Sequence, residues 1–66
     1  MERAARYIEE LAETAENMGK LIKEIKQAVE SKDYDLERLM KNVDADFMDM
    51  KYKIDIANRL AKSHRI

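Results

Sequence analysis

The apolar residues of this chain recur in alternating steps of four and three, and that rhythm constrains its fold more than any other feature. From the N-terminus the series runs Ala4, Ile8, Leu11, Ala15, Met18, Ile22, Ile25 and Val29. A second series runs Leu36, Met40, Val43, Phe47, Met50, Ile54, Ala57 and Ala61. Such a heptad rhythm places its members on one stripe of an α-helix, whereas a half-buried strand would alternate at every second residue. Between the two series lies Ser31-Lys32-Asp33-Tyr34-Asp35, the stretch richest in capping residues. Asp33 or Asp35 can accept a hydrogen bond from the free amides that open a helix, and Glu37 adds negative charge to the first turn. The spacing therefore predicts an all-α antiparallel two-helix hairpin, a helical coiled coil forming a single domain over 1–66. Helix 1 is expected over about 2–31, the turn over about 31–35 and helix 2 over about 35–64.

No proline stands in the chain and its one glycine is Gly19, so neither residue enforces a stop between the two series. One continuous helix is the competing arrangement; it would be about 99 Å long at 1.5 Å per residue and would carry Lys32 or Asp33 on its apolar stripe. Folding back instead pairs Ala4 with Ala61, Ile8 with Ala57, Leu11 with Ile54 and Ala15 with Met50. The same register pairs Met18 with Phe47, Ile22 with Val43, Ile25 with Met40 and Val29 with Leu36, and it centres on the capping cluster. Charge order favours this antiparallel choice. Helix 1 is acidic early, at Glu9, Glu10, Glu13 and Glu16, and basic late, at Lys20, Lys23 and Lys26. Helix 2 repeats the order, from Asp33, Asp35, Glu37, Asp44, Asp46 and Asp49 to Lys51, Lys53, Arg59, Lys62 and Arg65. Each helix complements its own dipole, and folding back sets acidic segments beside basic ones.

Composition enters as exclusion. With 66 residues and no cysteine, the chain cannot be a multidomain enzyme, a disulfide scaffold or a cysteine-ligated zinc site. No apolar run exceeds two residues, so neither a membrane span nor the charged-then-apolar start of a signal peptide is expected, and a cytoplasmic location is. Thirteen basic and fourteen acidic side chains give a net charge of -1, which offers no bulk attraction to nucleic acid or anionic lipid. A lone pair of helices with one seam buries little for the chain it orders, so a second hairpin or a helical partner is expected, the former giving a homodimeric four-helix bundle.

Candidate contact residues lie beside the seam. Ala5, Ala12 and Gly19, at seven-residue spacing, are small enough to admit the backbone of another helix. The other flank of helix 1 carries Tyr7, Leu21 and Ala28, which the antiparallel register brings near Leu39 and Leu60. Away from the seam of helix 2 runs a stripe of Ala45, Met48, Tyr52 and Ile56; thioethers and amphipathic aromatics suit protein interfaces. The protein-binding set read from the sequence is thus Tyr7, Leu21, Leu39, Met48, Tyr52, Ile56 and Leu60.

Few residues of the chain are of a type and spacing that carry chemistry. His64 is the sole histidine, near the end of helix 2, and no Glu-x-x-His pair accompanies it. Asp44, Asp46 and Asp49 lack the central glycine and distal glutamate of a calcium loop and read as a solvated acidic face. No glycine-rich phosphate loop and no poised nucleophile exist, so no catalytic residue, metal, cofactor or small-molecule substrate is expected. In size and layout the chain resembles small hairpin proteins that dimerise into four-helix bundles, such as plasmid copy-control RNA-binding proteins, or that serve as co-chaperones in type III secretion. That resemblance spans the whole chain, rests on architecture and carries over no functional residue. The expectation is a non-enzymatic interaction module, an adaptor, co-chaperone or regulator, that self-associates or packs on a helical protein. The alternative is a dimeric bundle that binds nucleic acid through the basic helix 2 termini, Arg59, Lys62 and Arg65.

Overall fold

A computed structural model describes residues 2–64 as two helices packed against each other. Helix α1 spans Glu2–Val29 and helix α2 spans Tyr34–Ser63. The longest dimension is 51 Å, about half that of one continuous helix, so the chain folds back on itself.

The reversal is set by two local devices. Ser31 adopts φ 62°, the left-handed conformation that turns the chain away after Val29. The Val29 carbonyl then accepts from the amides of Lys32 at 3.1 Å and Asp33 at 3.2 Å. Asp33, in extended conformation, caps α2: its Oδ1 accepts from the Leu36 amide at 3.0 Å. Of the two aspartates that the sequence offered, Asp33 takes this role, while Asp35 and Glu37 place negative charge in the first turn. Glu37 also reaches back, its Oε2 accepting from the Ser31 amide at 3.4 Å. Asp33→Ala should therefore lower stability by about 1 kcal/mol, read from a urea melt. Ser31→Gly should act in the opposite direction. A residue with a Cβ in the left-handed region is strained by about 1–2 kcal/mol, and glycine's extra chain entropy returns only part of that relief. A net gain of roughly 0.5–1 kcal/mol in the same melt is the expected outcome.

The seam between the helices differs from the heptad pairing. On α1 it is built from two lines, Ile8, Ala15, Ile22 and Val29 beside Ala5, Ala12, Gly19 and Lys26; every one of these is buried or half-buried. On α2 the corresponding lines are Met40, Phe47, Ile54 and Ala61 beside Glu37, Asp44, Lys51 and Asn58. Leu11, Met18, Ile25, Leu36, Val43 and Met50, expected in the seam, instead stand 37–50% exposed. The small residues explain the rotation. A methyl placed on Gly19 would stand 3.1 Å from Phe47 Cε2 and 3.2 Å from Cζ, so the ring already lies against the α1 backbone. Phe47 thus packs on Gly19, and closure along Ala5, Ala12 and Gly19 brings the helices together on their smallest line. This corrects the expectation that the small-residue line would receive a further helix; its occupant is α2 of the same chain.

Candidate interaction surface

Turning the hairpin onto its small-residue line creates two unlike faces. One is polar. Lys26 Nζ donates to Asp44 Oδ2 at 2.8 Å across the seam, and Lys51 Nζ lies 3.4 Å from Glu16 Oε1 and 3.3 Å from Asp55 Oδ2. Lysines of each helix therefore meet acids of the other, the antiparallel complement of the charge order. The Lys51 stem is partly covered while its ammonium reaches water, as long cationic side chains do at the edge of a seam. The hydrogen bond and charge of Asp55 foremost, and then those of Glu16, hold its pKa above the ordinary lysine value. A raised cation pKa contributes stability at neutral pH and loses it only as pH climbs through that value; at so exposed a site the effect is screened by solvent. Within α2, Lys53 pairs with Asp49 at 3.2 Å. Near the chain ends the Asn58 Oδ1 is buried with no hydrogen-bond partner among the described residues.

The opposite face is apolar. Ala4, Leu11, Met18 and Ile25 line it from α1, and Leu36, Val43, Met50 and Ala57 from α2; no polar residue interrupts either line. Near the chain ends the two lines border an open groove floored by Ile8, Leu11, Met50, Ile54 and Ala57, with Asp49 and Lys53 at its rim. Tyr7, Leu21, Leu39 and Leu60, placed in the interaction set from the sequence, are 52–59% exposed. Each lies three or four residues from a member of these lines, so each widens the same face. Sequence reasoning missed the central members of the face because it assigned Leu11, Met18, Ile25, Leu36, Val43 and Met50 to the core. The one available signal was the line of small residues, which marks the closest helix approach.

Met48 and Tyr52, both 63% exposed, and the half-buried Ile56 lie on another side of α2. Helical spacing puts them on the back, away from α1, so the structure does not join them to the apolar face. Arg59 and Lys62 are exposed near the end of α2, where positive charge complements the helix dipole, and Arg65 lies outside the described residues. His64 is exposed and ends α2, its amide donating to the Leu60 carbonyl at 3.0 Å. Asp44 and Asp49 take part in the ion pairs above, and Asp46 is exposed. Among the described residues no group of three His, Asp or Glu side chains converges as metal ligands would, and no helix is long and apolar enough to cross a membrane. Compared with protein-family models, with curated proteins and with solved structures, the chain gives no match.

Proposed function

We propose that this chain is a non-enzymatic interaction module, a helical hairpin that associates through its apolar face and does so first with a second copy, forming a four-helix bundle. The observation that carries the reading is the unbroken exposed line of Leu11, Met18 and Ile25 beside Leu36, Val43 and Met50. An apolar face that runs the length of both helices is costly in water and marks a contact surface. Its extent fits that role. The Cα envelope of the hairpin is 51 by 15 Å on its broad side, room enough for the roughly 800 Å² per partner of a standard stable interface. A helical partner in an adaptor or co-chaperone complex would engage the same lines, and self-association is the form that needs no second component. Sedimentation equilibrium tests it: a dimer at micromolar concentration is the expected result, and a well-folded monomer there would overturn the reading.

A further inference from the structure

The apolar face is tapered, and its taper selects how a second copy docks. Toward the turn it is bulky, with Met18 and Ile25 on α1 opposite Leu36 and Val43 on α2. Toward the chain ends its two central lines narrow to Ala4 and Ala57, between the flanking Tyr7 and Leu60, and here the open groove lies. Resting on the proposed self-association, we infer that two copies pack face to face with their turns at opposite ends of the bundle. The bulky end of each then fills the groove at the small end of the other. The alternative, turns at the same end, would set bulk against bulk and alanine against alanine, and close packing favours interdigitated large and small residues.

The flanking residues of α2 agree with this choice. In the opposed arrangement α2 runs antiparallel to α2 of the second copy, and overlap of the full Tyr34–Ser63 helices puts the two-fold axis near Met50. Leu39 then meets Leu60 of the second copy, and Asp46 meets Lys53 of the second copy. In the same-end arrangement α2 would lie along α1 of the second copy, and Asp46 would face the apolar Leu21 while Lys53 faced Thr14. Asp46 is exposed in the hairpin, and Lys53, exposed and paired with Asp49 of its own helix, would bridge both acids in the dimer.

Cysteine cross-linking separates the two arrangements, because the chain has no cysteine of its own. A disulfide requires Cα atoms about 4.4–6.8 Å apart. Met50→Cys should form a covalent dimer on mild oxidation, since the two copies of residue 50 meet at the axis. The opposite pattern overturns the inference: a mixture of Met18→Cys and Met50→Cys chains that yields only the mixed dimer, with Met50→Cys alone remaining uncross-linked. Circular dichroism of each variant checks that it is helical. A charge exchange tests the same geometry without cysteine. Asp46→Lys should weaken dimerisation by about two- to thirty-fold, from two symmetry-related exposed pairs, and adding Lys53→Asp should restore it. If the double exchange fails to restore the dimer, the opposed arrangement is wrong even though self-association stands. A chain that sediments as a folded monomer before any substitution overturns self-association itself, and the two failures are thereby told apart.

Discussion

Replacing Phe47 by alanine is expected to lower the hairpin's own stability by about 3–5 kcal/mol, the range for truncating a buried aromatic side chain. Phe47 is 7% exposed and is the one phenylalanine of the chain. It also sits midway along the seam, in the buried cluster with Ala15, Ile22, Met40 and Ile54, so its loss opens a gap between both halves of the contact. The α1 surface beneath the ring is Gly19, which has no side chain to swing in, and Ala15 contributes a single methyl. Two helices joined by one seam have a small margin, and a loss of this size removes most of it. Urea or thermal melts followed by circular dichroism at low protein concentration measure the effect. A loss under 1 kcal/mol would show that the ring is not what holds α2 on α1.

The second large effect concerns association. Met18→Lys combined with Val43→Lys should convert the proposed dimer to a monomer. Both side chains belong to the apolar face and stand 41% and 37% exposed in the hairpin, so each retains a substantial apolar area for a second copy to cover. Withdrawing roughly 1 kcal/mol per half-exposed side chain, at four positions in a dimer, weakens association by roughly 4 kcal/mol, about a thousand-fold in Kd. Four buried lysines would add a desolvation penalty on top. Sedimentation equilibrium of the doubly substituted chain is the measurement. A dimer of unchanged affinity would mean that the copies meet elsewhere, and the back of α2 with Met48 and Tyr52 would be the surface to examine next.

Much of the architecture was legible in the residues. The alternating steps from Ala4 to Val29 and from Leu36 to Ala61 describe two helices, and Asp33 announces the start of the second. Acid-first, base-last order in each helix is compatible with folding back, and Lys26 with Asp44 and Lys51 with Glu16 are the cross-helix pairs it produces. The turn itself was less legible. Ser31 takes a left-handed conformation that the sequence would signal more strongly with glycine or asparagine.

The division between core and exposed apolar face was not legible from periodicity. On α1 the line of Ile8, Ala15 and Ile22 is flanked by Leu11, Met18 and Ile25 on one side and by Ala5, Ala12 and Gly19 on the other. Both flanks satisfy a heptad, and hydrophobicity alone assigns the larger residues to the core. Tertiary structure chose the smaller flank, because only there can the Phe47 ring lie against the opposing backbone. On α2 the same rotation draws Glu37, Asp44, Lys51 and Asn58 partly into the seam, a cost no pattern of apolar residues would indicate.

By itself, then, the order of residues determined that this protein is helical and that its apolar arc is too wide for a single seam, and it favoured a reversal at the capping cluster over one continuous helix. Which edge of the arc closes on the chain's own second helix, and which is left exposed, was decided by the packing of Phe47 on Gly19. Helical period is a property of one segment, whereas closest approach depends on the shapes of two segments brought together.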